Sequence, residues 1–282
     1  MPYLQSRSLD EALAELSAAP LAVVAGGTDF FPAERMRQRS RAILDISRTE
    51  GLRGIARVPG GWRIGATSTW SEVARADLPP AFDGLRAAAR QVGALQIQTS
   101  GTVGGNLCNA SPAADGMPPL LTLEAEVELA SAAGRRRLPL DRFVTGVRRT
   151  DLGPGELVVA LHLPEPPEGA GAAFVKLGSR KYLVISIAMA AALVTLRGGR
   201  IATARIAVGA CSPVARPLPA LAGALVGLTP AEALALPADP ERFMAGLRPI
   251  DDVRGSASYR LDVAHALCLR AVAEAARGAA DA

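Results

Sequence analysis

In Thr102-Val103-Gly104-Gly105-Asn106-Leu107-Cys108-Asn109-Ala110-Ser111-Pro112-Ala113-Ala114-Asp115, two adjacent glycines are followed by short polar side chains. The same combination occurs about 75 residues earlier, in Ala25-Gly26-Gly27-Thr28-Asp29. Paired glycines let the backbone take φ > 0 and come close to a ligand. Successive N–H groups in such turns form a concave nest for an anion such as phosphate. Two of them predict a diphosphate gripped from two sides. Neither matches the dinucleotide fingerprint G-x-G-x-x-G, which disfavours a Rossmann nicotinamide site. Asn106, Asn109, Ser111 and Asp115 follow closely, and such side chains can hold ribityl or ribose hydroxyls. Ser111 or Asp115 can equally cap a helix around Pro112.

Outward from these turns the chain reads as α+β. Ser8 to Ala18 predicts a helix, with Ser8 as cap, Glu11 three residues on, and Leu9, Leu13 and Leu16 on one face. Leu21–Ala25 predicts a buried strand delivering the first turn. A helix starting near Pro32 and a strand over Ala42–Ile46 complete a β-α-β unit. Gly61–Ala66 predicts a strand opening a second region. Ser71–Arg75 predicts a helical turn, Phe82–Val92 a helix, and Leu120–Leu123 the end of another. Val127–Ala130, Arg136–Leu138 and Leu157–Leu163 predict strands. Pro164-Glu165-Pro166-Pro167-Glu168-Gly169-Ala170-Gly171 can continue neither a ladder nor a helix and marks a boundary. Beyond it, Ala173–Leu177 and Ile201–Val208 predict strands, and Pro230–Leu234 and Val263–Ala276 helices. Periodicity leaves Ile185–Leu196 as either strand or helix.

Composition narrows the function classes. The 282 residues suffice for two domains, and 49% of them are apolar. The net charge of +4 is modest, lysine occurs only at Lys176 and Lys181, and no basic stripe carries aromatics, so nucleic-acid binding is not expected. The three cysteines, Cys108, Cys211 and Cys268, are far apart and predict no disulfide framework, as suits a reducing cytoplasm. Without a C-x-x-C, the chain cannot supply the usual four thiolates of an iron–sulfur cluster. His162 and His265 are isolated, so no metal site is expected. The N-terminus lacks a signal-peptide pattern, and Val184–Leu196 is too short to span a membrane. No Ser/His/Asp or Cys/His set and no paired carboxylates stand out. The chain reads as a cofactor holder without a nucleophile of its own.

The two glycine motifs together resemble the FAD-binding medium subunit of the molybdenum hydroxylases, the xanthine dehydrogenase and carbon monoxide dehydrogenase type. Ile64–Thr69, Phe174–Arg180 and Asp252–Arg260 extend the resemblance over essentially the whole chain. It implies a two-lobed FAD-binding domain of vanillyl-alcohol-oxidase type over residues 1–170, with lobes of about 1–58 and 59–170. A small α+β flavoprotein C-terminal domain with a short antiparallel sheet would follow over 171–282. It also implies roles. Val24, Ala25, Gly26, Gly27, Thr28 and Asp29 would line the FAD diphosphate and the nearby flavin edge. Gly93 would sit on the same ligand, and Thr102, Gly104, Gly105 and Asn106 would close over the diphosphate. Asp115 would bind hydroxyls, Cys108 and Asn109 would lie by the flavin, and Val158 and Lys176 would reach it from the second lobe. Ile185 would shield the ring. Many relatives carry an aspartate where Val184 stands in Arg180-Lys181-Tyr182-Leu183-Val184-Ile185, so the acceptor stays open between NAD, quinone and oxygen. The implied activity is electron transfer. A small subunit with [2Fe–2S] clusters would feed FAD here, a large subunit would hold the molybdenum cofactor, and the assembly would be a cytoplasmic dimer of heterotrimers. The alternatives are a stand-alone FAD-dependent oxidoreductase of the same fold and a non-enzymatic anion-binding scaffold.

Overall fold

The computed structural model describes residues 3–37, 42–180 and 184–280. Its first unit is a three-stranded parallel sheet, β1 (Tyr3–Gln5), β2 (Ala22–Val24) and β3 (Ile43–Asp45), in the order β1-β3-β2. Helices α1 (Leu9–Ala18) and α2 (Phe30–Arg37) make the crossovers. Ser8 accepts from the Glu11 N–H at 3.1 Å, while the Glu11 carboxylate reaches back to the Arg7 N–H at 2.7 Å. The sequence reading missed β1, a three-residue edge strand with no apolar alternation. It is held by side chains instead, since Tyr3 and Gln5 both donate to the Asp45 carboxylate.

The second unit carries a five-stranded antiparallel sheet of β4 (Ile55–Val58), β5 (Gly61–Gly65), β6 (Glu126–Ser131), β7 (Gly134–Pro139) and, after two short strands, β10 (Leu157–Pro164). Its order is β4-β5-β10-β6-β7, so the central β10 pairs with β5 and β6. The short strands β8 (Val144–Gly146) and β9 (Arg149–Thr150) form a separate hairpin. Between β5 and β6 run α3 (Trp70–Arg75), α4 (Asp83–Ala89), α5 (Leu95–Ser100), α6 (Val103–Asn109) and α7 (Met117–Thr122). Ile64, Leu129 and Leu161 of the sheet pack with Trp70, Phe82, Leu85, Leu107 and Leu120 in one core. Ala130, Leu157 and Val159 instead pack with Leu13, Leu44 and Ile46 of the first unit. The sheet is therefore covered on both faces, which explains why Leu157–Leu161 is apolar without a break.

The third unit is the antiparallel sheet β11 (Gly171–Leu177), β12 (Ala188–Arg197), β13 (Arg200–Gly209) and β14 (Arg216–Pro217), in sequential order. The open segment resolves as a strand, with Ala188–Val194 buried on both sides and paired to β11 and β13. A strand covered on both faces shows no period of two, so periodicity could not identify it. One cover is the C-terminal helix Ala257–Gly278, capped by Ser256. The guanidinium of Arg260, 2% exposed, pairs with Asp252 at 2.6 Å and donates to the carbonyls of Ile187 and Ala210. No helix among the described residues is long and apolar enough to cross a membrane.

Candidate cofactor site

The first wall of the site grows from the end of β2. Val24 is buried at the strand end, and the chain then turns through Ala25–Asp29 into α2. Gly27 takes φ +68°, a left-handed conformation that glycine adopts without strain. The N–H groups of Gly26, Gly27, Thr28 and Asp29 donate no hydrogen bond among the described residues. That is a nest of unpaired donors.

The second wall differs from expectation. The Thr102–Asn106 motif is not a turn with φ > 0 but the start of α6, with Thr102 as N-cap accepting from the Gly105 N–H at 3.1 Å. The amides of Val103, Gly104, Gly105 and Asn106 are already used. Val103 N–H donates to Ser68 O, Gly104 N–H to Ala66 O and Asn106 N–H to Thr102 O. The glycines serve close approach. A Cβ on Gly104 would lie 2.8 Å from the Cβ and carbonyl oxygen of Ala66. Bare Gly105 leaves the exposed face of α6 open. The run of successive free N–H donors thus comes from the first motif, and the second supplies a surface.

These walls meet. Gly26 lies against the Ser100 carbonyl so closely that no Cβ fits, which brings the two glycine motifs together. Between them lies a cleft of about 510 Å³, within the size range of roughly 300–1,000 Å³ usual for cofactor sites. Val24, Ala25, Gly26, Gly27, Thr28, Asp29, Thr102, Gly105, Asn106, Cys108 and Asn109 line it. Gly104 lies behind Gly105. Gly93, with φ +56°, packs on Ile97, a lining residue. Trp70, Val92, Ile97, Phe30 and Arg148 also line the cleft and were not singled out from sequence. They sit on separate elements, and none belongs to a recognisable motif.

Four expected residues lie elsewhere. Val158 is buried in the core of the second unit, next to a bulge in β10. Asp115 and Lys176 form a buried ion pair at 2.7 Å, joined by the Ser186 hydroxyl at 2.7 Å. The Asp115 carboxylate thus already has protein partners, and burial raises its pKa despite the attraction of Lys176. Ile185 is exposed and lines a second cavity of about 290 Å³ with Ser111, Pro112, Ala113 and Val147. Of the segment Arg180–Ile185, Lys181, Tyr182 and Leu183 lie outside the described residues. Cys108 is exposed towards the cleft but crowded on its other sides, which pushes its thiol up to about 12. His162 bonds Glu128 at 2.6 Å and His265 stacks on Phe243, both structural contacts.

Residues 1–166 match the family described as FAD binding domain in molybdopterin dehydrogenase, and residues 173–275 match the CO dehydrogenase flavoprotein C-terminal domain. The chain belongs to the FAD-binding medium subunits of the molybdenum hydroxylases. It is 30% identical to the xanthine dehydrogenase FAD-binding subunit of Escherichia coli O157:H7, over 98% of this chain and 96% of that protein. It is 32% identical to the carbon monoxide dehydrogenase medium chain of Afipia carboxidovorans, over 97% and 96% respectively. A solved Cu,Mo-CO dehydrogenase chain superposes with a TM-score of 0.89 at 28% identity, over 99% of this chain and 98% of that one.

The flavoprotein's own residues fit the cofactor of its family. The unpaired N–H groups of Gly26–Asp29 suit a diphosphate. The buried Asn106 Oδ1 has no partner among the described residues, as an acceptor facing ligand hydroxyls would. Trp70, Val92 and Ile97 give the cleft an apolar wall for a ring.

Proposed function

We propose that this flavoprotein holds FAD with its diphosphate on the N–H groups of Gly26, Gly27, Thr28 and Asp29, and passes electrons through it. The reading rests on those unpaired donors facing α6 across one cleft. Thr102, Gly105, Asn106, Cys108 and Asn109 form the opposite wall. Gly104 lets α6 sit close, and Gly93 carries Val92 and Ile97. Asp115 and Lys176 bind the second unit to the third and reach FAD only by exchanging one another for it. Val158 supports the floor, and Ile185 screens the far side.

Bound FAD supplies the redox centre, accepting electrons and releasing them. The protein's work is to bind it, orient it and set its electrostatics. We assign electron delivery to [2Fe–2S] clusters on a small partner subunit and substrate hydroxylation to a large partner subunit with the molybdenum cofactor. An external acceptor then takes the electrons. The assembly is a cytoplasmic dimer of heterotrimers, and the flavoprotein divides into residues 1–170, with lobes 1–58 and 59–170, and 171–282. The purified complex tests this. FAD bound at one per chain, reduced by substrate only when both partners are present, is the expected result. A chain that binds no FAD after reconstitution overturns the reading. Substrate-driven flavin reduction by the isolated chain would favour a stand-alone oxidoreductase.

A further inference from the structure

We propose that Arg148 touches the isoalloxazine end of the bound FAD and raises its affinity for electrons. The inference rests on the FAD reading above. Arg148 occupies the tip of the β8–β9 hairpin at φ +57°, a conformation that is strained for arginine and free of strain for glycine. Its N–H donates to Ala110 O at 2.9 Å, and Ala110, the residue ending α6, is itself left-handed at φ 45°. Its Nη1 donates to the Asn109 carbonyl at 3.1 Å and to the Asn109 side-chain oxygen. The arginine thus clamps the carbonyl end of α6, where a cation also complements the helix dipole. Backbone strain held at a ligand cleft points to a side chain required for function.

Arg148 is the only cation among the described residues that line the cleft, and Asp29 the only carboxylate. Its Nε and Nη2 have no partner among the described residues, so both remain available to a ligand. Position decides which part of FAD they meet. The unpaired N–H groups at Gly26–Asp29 hold the diphosphate. Arg148 stands at Asn109, about one helical turn along α6 beyond Gly105. Its neighbour Val147 faces the second cavity, together with Ile185 of the third unit. With its diphosphate on Gly26–Asp29, the cofactor would direct its electron-exchanging end towards this junction. A guanidinium there favours the negatively charged reduced ring over the neutral oxidised ring, by simple charge attraction.

The experiment compares wild type, Arg148→Gly and Arg148→Lys as FAD-loaded protein, in complex with the partner chains. It measures the flavin midpoint potential by spectroelectrochemistry and FAD affinity by fluorescence. Arg148→Gly keeps the backbone geometry, so the fold persists. The expected result is comparable affinity for oxidised FAD with at least a tenfold loss for the reduced form. For a two-electron couple that is a shift of about 30 mV to more negative potential. Arg148→Lys recovers most of it. A wild-type potential in Arg148→Gly overturns the proposal. So does an equal loss of affinity for both redox states, or loss of FAD altogether, because either makes Arg148 an anchor. A wild-type chain that binds no FAD would instead defeat the functional reading itself.

Discussion

Replacing each of the paired glycines of α6 by alanine separates packing from cofactor access. Gly104 has helical backbone geometry, so alanine there gains about 1 kcal/mol of helix propensity. Against this, the new Cβ would lie 2.8 Å from Ala66 Cβ and O and 3.1 Å from its Cα. Ordinary contact begins near 3.4 Å, so the start of α6 must retreat by about 0.6 Å. That retreat also stretches the Gly104 N–H to Ala66 O bond, now 2.8 Å. Overpacking costs about 1–3 kcal/mol and a weakened hydrogen bond about 1 kcal/mol, so the net loss is about 1–3 kcal/mol. In a protein of this size that lowers the Tm by several degrees. At Gly105 the Cβ meets only Thr102 Oγ1, at 2.8 Å. The disturbed cap costs about 1 kcal/mol, which the helix gain of about 1 kcal/mol offsets. The methyl, however, projects into the cleft. Gly104→Ala should therefore melt early, and Gly105→Ala should melt normally but bind FAD weakly. Thermal unfolding with and without FAD, and a fluorescence titration, read both. A Gly104→Ala protein as stable as wild type, or a Gly105→Ala protein that binds FAD at full strength, would refute the reasoning.

Lys176→Met strands the Asp115 carboxylate and should destabilise by about 3–5 kcal/mol in chemical denaturation. The double variant Asp115→Leu/Lys176→Met should recover most of that, and no recovery would mean the pair is not coupled. Burial opposes ionisation of Asp45, but hydrogen bonds from Tyr3, Ser47 and Gln5 outweigh it and hold the carboxyl below its ordinary range. Its folded value is thus below its unfolded one. The stability it adds is present above about pH 4 and is lost as pH falls through the folded value. Tyr3→Phe should shrink the stability difference between neutral and acid pH, read from denaturation midpoints. With its thiol at about 12, Cys108 should alkylate slowly at neutral pH despite its exposure, and faster by about tenfold per pH unit. Mass spectrometry of iodoacetamide-treated protein checks this, and FAD should block the reaction.

Much of the cleft was legible because its chemistry is local. Ala25–Asp29 must turn tightly within five residues, and Thr102 caps the helix three residues before Gly105. Such relations have fixed offsets and survive in the linear order. The same holds for Ser8 with Glu11 and for the proline run at 164–167. The elements that escaped are held from outside. Strand β1 is secured by Asp45, 42 residues from Tyr3, and Ala188–Arg197 is a strand because β11 and β13 lie on either side of it.

The chain's order of residues was enough to specify two glycine-bearing motifs and an α+β alternation, since each follows from neighbours along the backbone. Folding settled the division of labour. Both motifs read as anion nests, yet the first amides of α6 are used by Ala66, Ser68 and Thr102, while those of Gly26–Asp29 remain unpaired among the described residues. Folding likewise paired Asp115 with Lys176 and set Arg148 at the end of α6. A donor is free or used according to which carbonyl lies within 3 Å of it, and residues far apart in the chain supply those carbonyls.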